Sequence, residues 1–299
     1  MISADSVKEK LKNQAKKQGR LFQDELLVYC LERTIYRISM SKYSENFTLK
    51  GGIILYAIFN GEFSRATRDI DLLARALNNE VEVMTKVFEE IFAIEADDAI
   101  KYKKESLVTS TITEFKEYQG INVKVMAMLD RTLIPVSIDI GFGDVVHPER
   151  VKMEFPVLLE MDAPIIYAYS LASVVAEKFE AIVSLGYANS RYKDLYDIFI
   201  LSHQFDFNGL ELSTAIAETF KHRNTAMDDI VIFEEGFSED RTRNSRWKSF
   251  VGKKRAIMQI ELSEAINGIR IFVDPIIEGI RNENFYIAEW NHNERNWRS

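Results

Sequence analysis

One change of hydrophobic period organises this chain. Between Ile100 and Ile140 the apolar and polar residues alternate. Thr109 to Phe115 and Ile121 to Val125 each show this period of two, with Gln119-Gly120 between them. That is the signature of a β-hairpin, and Pro135 to Ile140 follows as another strand. Beyond Pro164 the apolar residues return to helical spacing. Helices are expected over 170–185, 191–203 and 209–223, with two more between Arg246 and Arg281.

Upstream of the alternating stretch the two patterns mix. Residues 6–18 read as a basic helix and 22–40 as a second one. Phe47-Thr48-Leu49 is a short strand candidate that runs into Lys50-Gly51-Gly52, after which Ile53 to Asn60 reads as a helix closed by Gly61. Asp69 to Leu73 reads as a strand and Glu80 to Ile94 as a helix. The chain is therefore expected to be α+β, with a mixed β-sheet flanked by helices in residues 1–163 and a helical domain in 164–299. The tail after Arg281, rich in Asn and Trp, carries no clear assignment.

Composition removes several classes of function. The N-terminus has no apolar core of a secretory signal, and the longest apolar stretch, Ile53 to Phe59, is too short to span a bilayer. With Cys30 as the single cysteine no intrachain disulfide forms, and His147, His203, His222 and His292 lack zinc-ligand spacing. A cytoplasmic protein that does not engage a membrane is expected. The formal charge of -8 argues against bulk attraction to nucleic acid. It hides two basic segments, with six Lys/Arg from Lys8 to Arg20 and seven from Arg241 to Arg255. Each alone describes a solvated helix face, and together they leave room for a polyanion site.

Four elements bear on chemistry. Gly51-Gly52 stands where a strand turns into a helix, a place suited to close approach of a phosphate. Asp69 and Asp71 are two apart on a strand and share a face. Side by side they repel, unless a divalent cation such as Mg²⁺ lies between them. Asp139, between Ile138 and Ile140, is a candidate second-metal ligand and general base. For each carboxylate a solvent-facing strand is the competing description, and Asp144 more simply serves a turn. In the helical half Lys178 interrupts an apolar helix, where a cation could reach triphosphate oxygens. Asp194 and Asp197, three apart, share one helix face.

Taken in order, the strings resemble the AbiEii/AbiGii nucleotidyltransferase toxins, the toxin half of type IV toxin–antitoxin pairs in the polymerase-β-like superfamily. They are Phe47-Thr48-Leu49-Lys50-Gly51-Gly52, Arg65-Ala66-Thr67-Arg68-Asp69-Ile70-Asp71-Leu72, Ile138-Asp139-Ile140-Gly141, Glu177-Lys178-Phe179-Glu180-Ala181 and Arg191-Tyr192-Lys193-Asp194-Leu195-Tyr196-Asp197. Weaker matches precede them from Arg20 and follow through Phe250. The resemblance spans roughly residues 6 to 255.

It implies a nucleotidyltransferase-type sheet that presents Asp69, Asp71 and Asp139 to two Mg²⁺ or Mn²⁺ ions. It also implies that Lys178, with Asp194 or Asp197, completes the nucleotide site. Lys50, Gly51, Gly52, Ser64, Arg65, Thr67, Arg191 and Lys193 would contact the nucleotide. The superfamily usually has Gly-Ser where this chain has Gly51-Gly52, which leaves Ser64 or Thr67 to supply a hydroxyl. The implied activity is transfer of a nucleotide from a nucleoside triphosphate to an acceptor hydroxyl, with a tRNA 3′ end preferred. The implied setting is phage defence by abortive infection, countered by a separately encoded antitoxin. A protein or small-molecule acceptor, and a non-catalytic nucleotide- or RNA-binding module, are the alternatives. No Gly-x-x-x-x-Gly-Lys-Ser/Thr string is present, which disfavours a Walker-type ATPase.

Overall fold

The computed structural model describes residues 2–61, 68–112, 120–228, 230–252 and 258–298. The chain divides into two compact units, one of Met1–Gly143 with Val151–Ala168 and one of Asp144–Arg150 with Tyr169–Ser299.

The first unit opens with helices α1 (Ala4–Gln18) and α2 (Phe22–Met40). Ser3 caps α1 by accepting from Ser6 N, and Gly19 ends it in the left-handed region. There follow β1 (Phe47–Lys50), α3 (Gly51–Ile58), β2 (Ile70–Ala74), α4 (Val81–Phe92), β3 (Ile100–Ile112), β4 (Gly120–Leu129), β5 (Thr132–Phe142), β6 (Val151–Glu154) and β7 (Ile165–Ala168). The strands form one mixed sheet in the order β3-β4-β5-β2-β1-β7-β6. β2 runs parallel to β5 and β1 parallel to β7, while the other neighbours are antiparallel. Pro164 lies just before β7, and because β7 pairs with β1 the first unit keeps the chain as far as Ala168.

Helices α2 and α4 cover one face of β3, β4 and β5. The Phe92 and Tyr102 rings meet at 4.6 Å, and the hydroxyls of Thr34 and Tyr102 are 2.7 Å apart. Helix α2 is unusual in burying charge along with its apolar stripe, since Glu32, Arg33 and Arg37 are all at most 2% exposed. Arg37 grips both oxygens of Asp98, at 2.6 and 3.0 Å, and also donates to the carbonyls of Arg33, Ile94 and Ile100. Glu32 accepts from Leu158 N at 2.7 Å. These bonds tie α2 to the start of β3 and to the segment between β6 and β7.

The second unit contains α5 (Leu171–Leu185), α6 (Tyr192–Gln204), β8 (Phe207–Asn208), α7 (Gly209–His222), α8 (Glu235–Glu239), α9 (Arg241–Gly252), α10 (Leu262–Arg281), β9 (Glu289–Asn291) and β10 (Asn296–Arg298). It is helical, as expected, except that the tail folds back as a hairpin. Strand β9 pairs with both β10 and β8. Two tryptophans hold it down: Trp290 Nε1 donates to Ser202 O at 2.6 Å, and Trp297 stacks on Phe272 at 5.8 Å.

Arg37→Met should strand the buried Asp98 charge and cost about 3–5 kcal/mol. We expect a clear fall in the melting temperature, partly recovered in the Arg37→Met, Asp98→Asn double variant. A single-variant melting temperature equal to wild type would show that this pair does not hold the unit together.

Candidate active site

Strand β2 lies between β1 and β5, and its register builds the site. Asp71 is the partner of Lys50 on β1 and of Asp139 on β5, and Asp139 stands opposite Asn122 on β4. Register partners project to the same face, so Lys50, Asp71, Asp139 and Asn122 form one polar row across four strands. The residues that flank the row along each strand point the other way. Ile70, Leu72, Ile121, Val123, Ile138 and Ile140 are at most 1% exposed. Asp69, two residues before Asp71, is half-buried.

The start of α3 is fitted around Asp71. Gly51 has φ +66°, and a Cβ placed there would stand 2.0 Å from Asp71 Oδ2. Any side chain would strain the backbone and collide with the carboxylate. Gly52 N donates to the same oxygen at 3.3 Å. Lys50 gives the helix no side-chain cap, so the carboxylate of the neighbouring strand serves its first turn instead.

Burial pushes the Asp71 carboxyl up to about 6, helped by the charges of Asp69 and Asp139, while Lys50 and the Gly52 N–H pull it down. A carboxylate raised by burial and by like charges is a natural ligand for a cation. Asp139 is oriented by Asn122, whose Nδ2 lies 2.5 Å from Asp139 Oδ1 and 2.9 Å from Ser137 Oγ. Asn122 is not evident from the sequence. Only the pairing of β4 with β5 exposes its role, since a polar residue opposite a catalytic candidate has no one-dimensional signature.

The donor set suits Mg²⁺ or Mn²⁺. Among the described residues no three His, Cys, Asp or Glu side chains are gathered so as to hold a metal ion by themselves. Mg²⁺, however, takes one or two carboxylates and completes its shell with water and phosphate oxygens. The adjacent Asp71 and Asp139 are such a hard-oxygen pair.

The remaining candidates are on other segments of the chain. Ser64, Arg65 and Thr67 lie outside the described residues. In the second unit Lys178, only 8% exposed, donates to Asp194 Oδ1 at 2.8 Å and to Asp197 Oδ2 at 2.7 Å. Burial pushes the Asp194 carboxyl up, but Lys178, Lys193 and Arg191 outweigh it and leave the group below its ordinary value. Arg191 approaches Asp194 Oδ2 at 3.7 Å, and Lys193 is exposed. Both aspartates thus face inward onto one lysine. Beside them Arg223 bonds Glu177 and Glu180, at 2.9 and 2.8 Å, and reaches Asp144 at 3.4 Å. This ion pair gives Asp144 a structural partner in the second unit.

Of the two basic segments, Lys10, Lys12, Lys16 and Lys17 are exposed on α1, and Arg241, Arg246 and Lys248 on α9. Lys253, Lys254 and Arg255 lie outside the described residues.

A mixed sheet that brings carboxylates from adjacent parallel strands beside a Gly-Gly helix start has the frame of a nucleotidyltransferase. A family model for the nucleotidyl transferase AbiEii toxin of type IV toxin–antitoxin systems matches residues 33–265. The chain belongs to this family of nucleotidyltransferases. The match leaves out α1, the start of α2, most of α10 and the C-terminal hairpin. Two solved structures resemble the fold loosely. One is a proposed nucleotidyltransferase from H. pylori, with TM-score 0.48 and 14% identity over 88% of this chain and 97% of that one. The other is JHP933 from Helicobacter pylori, with TM-score 0.45 and 14% identity over 84% and 90%. Comparison with curated proteins gives no match. No helix among the described residues is long and apolar enough to cross a membrane.

Two outcomes follow from this geometry. The folded protein holds its Asp71 proton from the usual carboxylate range up to about pH 6, so ionisation at Asp71 costs stability as pH rises through that window. Asp71→Asn should therefore stabilise the metal-free protein by about 3 kcal/mol at pH 8 and by only about 0.5 kcal/mol near pH 4. Denaturant melts at the two pH values would show it, and equal stabilities at pH 8 would count against a strained carboxylate. Asn122→Ala should lower kcat about tenfold, the scale for losing a partner that orients a ligand. The KM for triphosphate should stay near wild type, and an unchanged kcat would remove Asn122 from the site.

Proposed function

We propose that this toxin transfers a nucleotide from a nucleoside triphosphate to a hydroxyl at a tRNA 3′ end. The observation that carries the reading is the pairing of Asp71 with Asp139 on adjacent parallel strands, on the face where Gly51 and Gly52 open α3. In this reading the acceptor oxygen attacks the α-phosphorus and forms a new P–O bond. The bond to the bridging oxygen breaks, and pyrophosphate leaves. Asp139, aligned by Asn122, takes the acceptor's proton. Asp69, Asp71 and Asp139 would hold two Mg²⁺ or Mn²⁺ ions, which would neutralise charge on the attacking and leaving oxygens.

Lys50 would add positive charge beside the triphosphate, and the remaining N–H groups of the first turn of α3 are suited to its oxygens. Ser64, Arg65 and Thr67 are assigned to the same nucleotide from the family strings. Lys178, Arg191, Lys193, Asp194 and Asp197, within the second unit, are proposed as nucleotide contacts on the same family resemblance. The exposed lysines of α1 and the basic face of α9 are polyanion contacts of low specificity in this scheme. A type IV toxin is countered by an antitoxin encoded apart from it, and the pair would serve phage defence by abortive infection.

The decisive experiment offers each labelled triphosphate in turn with total tRNA and Mg²⁺. Label should pass to tRNA, and Asp71→Asn and Asp139→Asn should each reduce it by at least about a hundredfold. Label appearing only on protein or on a small molecule would replace the acceptor while leaving the transferase chemistry intact. Full transfer by both variants would dismiss the site itself.

A further inference from the structure

The polar row does not end at Asn122. Ser110 on β3 is the register partner of Asn122, and from there the same face of β3, β4 and β5 runs away from the carboxylates. Successive rows on this face pair Ser137 with Lys124 and Val108, then Pro135 with Met126 and Lys103, then Leu133 with Met128 and Lys101. The reverse face is the core under α2 and α4, where Val125, Ala127, Leu129 and Val136 are at most 2% exposed. The row face is open. Val108 is 58% and Leu133 49% exposed, and Lys101, Lys124 and Pro135 are exposed as well.

Three lysines therefore step along one open sheet face, one per row, starting next to Asp139. On β4 and β5 the rows are two residues apart, about 7 Å along a strand, and β3 follows through a register shift between Lys103 and Val108. That row spacing is the scale on which charges repeat along a nucleic-acid backbone. Between the lysines lie Val108, Met126, Met128, Leu133 and Pro135, an apolar floor on which bases can rest. Among the described residues of these three strands the acids are Asp139 and Glu105. Glu105 approaches Lys103 at 3.7 Å, and Asp130, at the far hairpin, is bonded to Lys8 at 3.3 Å. In a chain of net charge -8 this face is a local exception.

We propose that the open face of β3, β4 and β5 is the track on which a single-stranded RNA end lies, with its terminal hydroxyl directed to Asp139. The proposal rests on the RNA acceptor reading above and adds the surface that holds it. Continuity with the carboxylate row favours this face over α1 and α9. A strand laid along it reaches Asp139 without a turn. Lys124, nearest the row, would hold the phosphates closest to the reacting end, and Lys103 and Lys101 those further back. Lysines in successive rows over an apolar floor suit the phosphates and bases of a nucleic acid.

The test measures binding of fluorescently labelled total tRNA to the full-length protein over a range of salt. In the Lys101→Gln, Lys103→Gln, Lys124→Gln variant, affinity should fall about tenfold or more. The slope of log affinity against log salt should shrink by about 2, the value for three lost single-strand phosphate contacts. Binding of Mn²⁺-ATP, followed by Mn²⁺ electron paramagnetic resonance, should not change. As an independent measure, a photo-cross-linking amino acid at position 108 should trap RNA, and one at the exposed Ile165 on β7 should not. An unchanged salt slope, or equal trapping at both positions, overturns the track and leaves RNA transfer standing. If wild-type protein binds no tRNA and labels only protein, the acceptor reading and the track fall together.

Discussion

The crowding of carboxylates across β2 and β5 is the constraint around which the first unit is arranged. Asp71 and Asp139 are fixed side by side by parallel register, and Asp69 adds its charge from two residues away. Neither aspartate can turn to the other face, because Ile70, Leu72, Ile138 and Ile140 already fill it. The geometry follows from this. A helix must begin at Asp71 to offer an N–H, that beginning must be glycine, and a neutral amide must hold Asp139. Asn122 meets the last demand without lowering the negative potential that attracts a cation, as an arginine there would.

Several other buried carboxylates are treated differently. Asp98 is matched to Arg37, Asp194 and Asp197 share Lys178, and Glu177 and Glu180 share Arg223. Each is an ion pair inside one unit, with geometry good enough to offset much of the desolvation of its charges. Asp71 instead remains raised to about 6 despite Lys50. Glu32 is also raised, to about 7 by burial, but it accepts from Leu158 N and lies 3.6 Å from Arg33, whereas Asp71 stands among further carboxylates, where a cation would supply the missing charge.

Much of this was legible from residue order. The Asp-x-Asp strand, Asp139 between two isoleucines, and the Gly-Gly at a strand-to-helix turn each have a local pattern. The helices of the second unit follow their periodicity. What was not legible depends on register. Asn122 and the lysines of the open face gain their meaning from residues on neighbouring strands. Strands β6 and β7, four residues each, are too short to show a period. The C-terminal hairpin is held by Trp290 and Trp297 against Ser202 and Phe272, contacts with no trace in the tail's own composition. Lys178 stood out as a cation in an apolar helix, but only the fold shows that it is clasped by two aspartates.

The start of α3 couples anion binding to the carboxylates beside it. Helix N-termini bind anions because their first N–H groups lack partners and the dipole favours negative charge. Here one of those N–H groups, that of Gly52, already serves Asp71. The first position is closed to any side chain by the 2.0 Å approach of Asp71 to a Cβ at Gly51. A phosphate approaching this turn therefore meets a carboxylate at its mouth and is repelled unless positive charge intervenes. Lys50, the helix's own cap residue, supplies one such charge, and a divalent cation on Asp71 and Asp139 would supply more. Nucleotide affinity should then be coupled to cation affinity at this site more tightly than in a helix start without a carboxylate, because neither ligand alone relieves the charge that the other needs.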